Sequence, residues 1–566
     1  MVEPTPTDRG VPLRRADFKT FVEALDYAAD ARSGMNFYGP RGQLVRATSY
    51  AELVRECGTV ASRLLATEIA PRSRVGIVAD TSVDFVLAFT GALYAGLVPC
   101  PMPLPKAFGD KQTYAKQISR IAQVADVSAI IVPDSLAELA GLDIDIQQLN
   151  YFGALNGLPA AGAPLPRGSV DPDSIAYLQF SSGTTSAPKG ITVTHRALMA
   201  NIEAMSTHAL DITEGDRGVS WLPFYHDMGL VGNMLLPIAN QLSASYLATS
   251  DFVRRPTLWP KLISETGATI SYSPSFGYQL AARAHRGKDP LDLSRWRMAG
   301  IGGDAIKPSD LLAFTETYKP YGFSESSFLP SYGMAELTLG MTFTKLGKGW
   351  STVDLDPASL EAGEAVPANG HGAATFVVCG KPLPEHKLQI RDTEGRVLDN
   401  RQCGRVMACG PSMMREYYND TELTRESLSG DGWLDTGDRG FITDSGDLVI
   451  TGRFKDLIIL NGRNIWPQDI EWNLEKAFWD RMREGSFAAF DIKQEAEERV
   501  VVVAECREQD ECKREALREE VRRNVKIRNS LEPIVVLGRR GQLPRTSSGK
   551  LSRSETRKTY LAGAFD

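Results

Sequence analysis

Short apolar runs bounded by turn residues, SRVGIVA (Ser73–Ala79), SAIIVP (Ser128–Pro133) and SIAYLQFS (Ser174–Ser181), alternate with helical apolar spacing over Tyr50–Leu65 and Val83–Leu97. That alternation predicts parallel sheets covered by helices, with ligand sites in the loops at strand ends. A chain of 566 residues also exceeds one core, since single cores stop growing at about 250 to 300 residues. Two domains or more are expected. Around Asp438–Gly462 the texture changes, from turn-rich GDRGFITDSGDLVITGR to the apolar LIIL. Beyond it lie one strand, ERVVVVAEC, and a charged helix from about Glu511 to Asn529, enough for a small unit. The expected fold is α/β: a large N-terminal domain of layered mixed or parallel sheets with helices (residues 1–452), and a small, mobile C-terminal α+β domain (residues 453–566). The Gly/Ala/Pro-rich stretch Gly153–Gly168 reads as a surface linker.

The formal charge of −7 argues against a nucleic-acid binder, which normally carries a basic domain. Residues 453–566 nevertheless sum to +3 and the remainder to −10, so an acidic partner would be steered to the C-terminal part. Seven cysteines without CxxC spacing suit reduced thiols better than disulfides or zinc. The N-terminal MVEPTPTDRGVPLRR has no apolar signal core. The most apolar run, Phe85–Val98, is shorter than the roughly 20 residues that cross a bilayer and reads as a buried helix. No membrane span and a cytoplasmic location are expected.

FSSGTTSAPKG (Phe180–Gly190) follows the apolar run SIAYLQ. It offers hydroxyls, backbone N–H groups, a glycine that permits close approach, and a lysine, the parts of a loop that surrounds phosphate. It is not a Walker loop, because Gly183 is followed five residues on by Pro188 rather than by GK[ST]. The plainer reading of the loop alone is a polar turn.

Further motifs follow in order: WLPFYHDMG (Trp221–Gly229), GIGGDAI (Gly300–Ile306), SYGMAE (Ser331–Glu336), WLDTGDRG (Trp433–Gly440), GRFKDLIILNGRN (Gly452–Asn464) and LPRTSSGKLSR (Leu543–Arg553). Together with the loop they resemble the signatures of the adenylate-forming superfamily of acyl-CoA synthetases, luciferases and peptide-synthetase adenylation domains, over roughly Tyr50–Arg553. SWLPFYHDMGLVGNMLLPI, RRPTLWPKLIS, YGMAELTLG and GRFKDLIILNGRNIWPQDIE are most similar to the fatty acyl-AMP ligases. The chain departs from the common patterns at SYSPSFGYQL (Ser271–Leu280) and at GGDAI, near the acyl and adenine sites that the resemblance implies.

The resemblance implies conversion of a fatty acid to an acyl-adenylate with ATP and Mg2+. Ser181, Ser182, Gly183, Thr184, Thr185 and Lys189 would hold phosphates, with Glu336 and Thr184 on Mg2+. Gly302, Gly303 and Asp304 would form the adenine loop, and Tyr332, with Gly333 and Met334, would stack on the base. Asp438 and Arg453 would meet the ribose, His226 would lie by the reacting carboxylate, and Lys550 would neutralise charge at the α-phosphate. Each residue type also has a plainer role: a solvated loop lysine, a capping acid, a core tyrosine, a turn aspartate, a structural histidine.

An adenylate must be passed on. In fatty acyl-AMP ligases the acceptor is the phosphopantetheine thiol of an acyl carrier protein or of a polyketide or peptide synthase carrier domain; in acyl-CoA synthetases it is CoA. The distinction goes with an extra segment after SYGMAE, here placed within Phe343–Thr375, longer than the usual 4 to 6 residue connection. Residues 521–566 carry +8, a surface suited to an acidic carrier protein and equally to a merely solvated face. A CoA-forming synthetase and a catalytically silent adenylate binder are the competing readings.

Overall fold

The computed structural model describes residues 10–105, 111–141, 149–160, 170–181, 188–287, 290–368, 370, 373–460, 463–478, 481–482, 485–494, 497–529, 531–545 and 551–565. Its largest element is a nine-stranded sheet. Six neighbouring strands are parallel, in the order Phe328–Gly333, Met298–Ile301, Ile270–Ser273, Arg217–Ser220, Ser243–Leu247 and Gly34–Tyr38. Antiparallel strands flank them at both edges. A second, all-parallel sheet orders Val98–Met102, Arg74–Val78, Val127–Val132 and Tyr151–Ala154. Two of the apolar runs of the sequence, SRVGIVA and SAIIVP, are its inner strands, because a strand buried on both faces has no polar side to alternate with; the third, SIAYLQFS, instead pairs antiparallel with Lys189–Thr194 in a separate two-stranded sheet.

Local signals explain the helices that cover these sheets. Ser49 and Glu52 close a capping box at the start of Tyr50–Leu65, satisfying two of the free N–H groups of the first turn. That helix buries Leu53, Cys57, Val60 and Leu64 along one face. The partner helix Val83–Tyr94, expected from its uninterrupted apolar run, is buried from Phe85 to Leu93. Gly91 permits their contact: a Cβ there would come within 2.5 Å of Val60 Cγ1. Among the described residues no helix is long and apolar enough to cross a membrane.

A four-stranded antiparallel sheet, Lys387–Arg391, Gly404–Cys409, Leu434–Ile442 and Leu448–Arg453, follows the large sheet. The chain then passes through the turn Phe454–Asp456 into a unit with its own core. The helix Glu511–Asn529 coincides with its sequence expectation. The sheet beside it has three strands rather than one, Phe487–Gln494, Glu497–Cys506 and Ile534–Arg539. The central strand was legible from its run of five apolar residues, Val500–Ala504, whereas Phe487–Gln494 is interrupted by Asp491 and Lys493 and Ile534–Arg539 has only four apolar residues in a row.

The described residues of the segment within Phe343–Thr375 include a helix, Pro357–Glu361, and the strand Thr352–Leu355, which pairs with Ala374–Val377 at and beyond the segment's end. Leu355, Leu360, Ala365 and Phe376 form a satellite core with Phe441 and Val449. The short helix packs against strand Arg463–Ile465, beyond the turn. Asp469 lies beside Glu361 at this junction, and burial, followed by the charges of Glu361 and Glu471, pushes its carboxyl up to about 7. This exceeds the roughly 3.9 of an unfolded aspartate, so folding takes up a proton between these values and stability falls as pH rises through them. Asp469→Asn is therefore expected to raise the thermal midpoint more at pH 8 than at pH 4. Equal shifts at both pH values would discard the electrostatic cause.

Candidate active site

Neighbouring parallel strands of the large sheet deliver three of the candidate loops from their carboxyl ends, where an open α/β sheet leaves a crevice. Strand Arg217–Ser220 runs into the loop with His226, Met298–Ile301 into Gly302–Asp304, and Phe328–Gly333 carries Tyr332 and leads to Glu336. Close backbone approach holds these loops in place. A Cβ at Gly302 would meet Ser331 O at 2.6 Å, and one at Gly333 would meet Leu339 O at 1.8 Å. Beyond Gly333, Met334 leads into the turn Ala335–Leu337. Asp304 is exposed, and its Oδ1 accepts from the Ala305 N–H at 2.8 Å.

The strands on either side of the phosphate-loop motif, Ile175–Ser181 and Lys189–Thr194, pair antiparallel, with Ser181 opposite Lys189 in register. Ser182, Gly183, Thr184 and Thr185 lie outside the described residues, as does Lys550. The Gln179 amide donates to Tyr225 O at 2.7 Å and so ties this hairpin to the His226 loop. His226 itself caps the short turn Asp227–Gly229, with Nδ1 2.6 Å from Asp227 Oδ1.

Asp438 is 5% exposed, and both of its carboxylate oxygens are engaged. Oδ2 accepts from the Tyr332 hydroxyl at 2.7 Å, and Oδ1 lies 3.0 Å from Arg453 Nε. Asp438 and Arg453 are register partners on adjacent antiparallel strands, which is why residues fifteen apart in sequence form an ion pair. Burial, and then the Asp438 charge, push the Tyr332 phenol well above its ordinary value, so it remains a donor.

Glu336 is 9% exposed. Its Oε1 accepts from Tyr417 Oη at 2.8 Å. Burial pushes its carboxyl up, opposed by the Tyr417 hydrogen bond and by the Arg453 charge. Two residues on, Thr338 holds φ +69, a strained value for a β-branched residue, while its Oγ1 donates to Ser412 O at 2.7 Å. Lys189 is half-buried rather than a solvated loop charge. Burial and the neighbouring Lys455 lower its pKa, with Glu336 opposing.

Among the described residues no group of three or more histidine, cysteine, aspartate or glutamate side chains could cage a metal. The donor set fits Mg2+ in another form, one hard carboxylate from Glu336 with the remaining oxygens supplied by substrate phosphates and water.

Sequence reasoning missed two groups. Tyr417 lies in REYYND, which has no distinctive pattern. Arg553, the last residue of the lysine motif, donates Nε and Nη2 to Glu471 Oε1 and Oε2 at 2.8 and 2.7 Å, and Nη1 to Asp456 Oδ2 at 2.6 Å. Only folding brings the turn, the helix Pro467–Ala477 and the end of the lysine motif to one guanidinium.

Residues 36–418 match the family model of the AMP-binding enzymes. A Caulobacter vibrioides protein provisionally named an acyl-CoA synthetase is 46% identical over 100% of this chain and 99% of its own length. A medium-chain-fatty-acid–acyl-carrier-protein ligase of Moorena producens is 31% identical over 98% of this chain and 97% of its own. Among solved structures, one from a study of fatty acyl-adenylate ligases of E. coli and L. pneumophila superposes with a TM-score of 0.91 at 39% identity, covering 98% of this chain and 100% of the other. With the family model and full-length relatives in agreement, the chain belongs to the AMP-binding enzymes of the adenylate-forming superfamily, alongside the fatty acyl-AMP ligases.

Proposed function

We propose that the protein activates a fatty acid with ATP to an acyl-adenylate, releasing pyrophosphate, and passes the acyl group to the phosphopantetheine thiol of a carrier protein in the cytoplasm. The observation that supports it most is the joining of Tyr332, Asp438 and Arg453 through Asp438, with Glu336 near enough to feel the Arg453 charge and Lys189 near enough to feel that of Glu336. A carboxylate is a poor electrophile because its charge repels nucleophiles and oxide leaves badly; forming the mixed anhydride with AMP removes both obstacles. The fatty carboxylate attacks the α-phosphorus, the bond to the bridging oxygen breaks, and pyrophosphate carries the electron pair away.

Charge develops on phosphoryl oxygens during this step and is stabilised by donors already in position. Lys189 and the hydroxyls of Ser181, Ser182, Thr184 and Thr185 serve the phosphates, with Gly183 allowing close approach. Bound Mg2+ would neutralise phosphate charge, held by Glu336 and Thr184. Gly302, Gly303, Asp304, Gly333 and Met334 line the adenine side, Tyr332 stacks on the base, and Asp438 accepts from the ribose hydroxyls beside Arg453. His226 orients the entering carboxylate. The unit from Arg453 onward moves as a lid that brings Lys550 to the α-phosphate.

The carrier-protein acceptor draws on the Moorena producens relative, which its name describes as an acyl-carrier-protein ligase. CoA is the second reading, favoured by the provisional name of the Caulobacter relative. Product identification separates them. With ATP, Mg2+ and a panel of fatty acids, acyl-AMP is expected alone, acyl-carrier protein when holo carrier protein is added, and little acyl-CoA with CoA. Absence of pyrophosphate release with every acid would reject activation itself.

A further inference from the structure

Residues 414–418 run between the two halves of the candidate phosphate site and are bonded to both. The Met414 N–H donates to Glu336 O at 2.8 Å, while Arg415 N–H donates to Thr192 O at 2.9 Å and Tyr418 N–H to Gly190 O at 2.6 Å. Thr192 N–H returns a bond to Glu416 O at 3.0 Å. The segment is thus an added strand on the phosphate-loop hairpin, with Tyr417 opposite Ile191, and at its other end it fixes the backbone of Glu336.

Tyr417 extends this bridge through its side chain. It is 5% exposed. Its hydroxyl donates to Glu336 Oε1, and the centre of its ring lies 5.3 Å from Lys189 Nζ, within cation–π range. One rigid aromatic group therefore touches the carboxylate and the ammonium of the site. A buried tyrosine hydroxyl needs some acceptor. Here the acceptor is the one described carboxylate offered to a metal, so the bond also decides which way that carboxylate faces.

We infer that Tyr417 is a positioning residue for nucleotide-bound Mg2+, fixing the Glu336 carboxylate with its hydroxyl and the spacing to Lys189 with its ring. The inference rests on the proposed roles of Glu336 and Lys189. An oriented carboxylate presents its other oxygen in one direction only, and losing such an orienting bond typically weakens metal binding by about 10- to 100-fold.

The test compares Tyr417→Phe, Glu336→Gln and the double variant with the wild-type chain. ATP–pyrophosphate exchange is followed as Mg2+ is varied, and ATP binding is measured by calorimetry with Mg2+ and with EDTA. Tyr417→Phe keeps the ring against Lys189. It is expected to raise the Mg2+ needed for half-maximal exchange about tenfold, with saturating exchange largely recovered and EDTA-condition binding unchanged. Glu336→Gln should shift the Mg2+ curve further, and the double variant should match it, because the hydroxyl acts through that carboxylate. A Tyr417→Phe curve that overlays wild type while Glu336→Gln is shifted overturns the role of Tyr417 and leaves the reading of Glu336 standing. No shift in Glu336→Gln overturns both. A double variant that is additively worse assigns Tyr417 to general packing and overturns the inference. If Tyr417→Phe folds poorly, Tyr417→His, which retains a ring and a donor, should recover the wild-type Mg2+ curve in part; no recovery counts against it.

Discussion

Lys550→Ala is expected to abolish acyl-adenylate formation while leaving ATP binding and thermal unfolding close to wild type. The residue belongs to a Gly/Ser-flanked motif of the kind that enters a site and leaves it again. It would act on charge that exists only as the phosphoryl oxygens are displaced, so its loss falls on the transition state rather than on the bound substrate. Removing one such donor commonly lowers the rate by about 10²- to 10³-fold, and a full cationic group at the α-phosphate should lie at the upper end. Rapid-quench measurement of pyrophosphate release, with calorimetric titration of ATP in parallel, reads both quantities. Release at a rate near wild type would remove Lys550 from the chemistry. Three residues on, Arg553 is held by three hydrogen bonds to Glu471 and Asp456.

For the carrier-protein ligase proposed above, shortening the segment after SYGMAE should add acyl-CoA formation. Transfer requires the lid to leave its adenylation pose, which breaks whatever contacts hold that pose. The helix Pro357–Glu361 supplies such contacts by packing on Arg463–Ile465. It is pinned from the other side, where Arg439 Nη2 donates to Leu360 O at 2.9 Å and the same guanidinium lies 5.3 Å from the Trp466 ring centre. About 3 kcal/mol of added stabilisation would lower the open population roughly 150-fold. On the proposed reading, a carrier protein docking on the basic C-terminal surface would offset that by binding the open arrangement, whereas free CoA would have fewer contacts with which to do so. Asp356 N–H donates to Val366 O, so the two chains lie side by side and residues 357–365 can be excised with a short glycine closure. The excised form is expected to gain acyl-CoA formation by at least tenfold, with adenylation retained, as read by chromatography of products. A wild-type chain that already makes acyl-CoA as fast as acyl-AMP would sink the idea.

The linear order of residues determined the fold class and most of the candidate site because those signals are local. A buried parallel strand is a continuous apolar run, a helix announces itself by its periodicity and its Ser49–Glu52 box, and a phosphate loop is contiguous from Phe180 to Gly190. The C-terminal sheet was only one-third legible, because Phe487–Gln494 is interrupted by Asp491 and Lys493 and Ile534–Arg539 offers only four apolar residues in a row. Tertiary structure alone decided the electrostatics. Asp438 joins Tyr332 from 106 residues away, and Tyr417 reaches Glu336 across 81. Arg553 meets Asp456 across 97, and Glu361 comes beside Asp469 only when the two elements pack. Burial sets the strength of each such pair and the packing of sheets sets its distance. Neither quantity is a property of any short stretch of sequence.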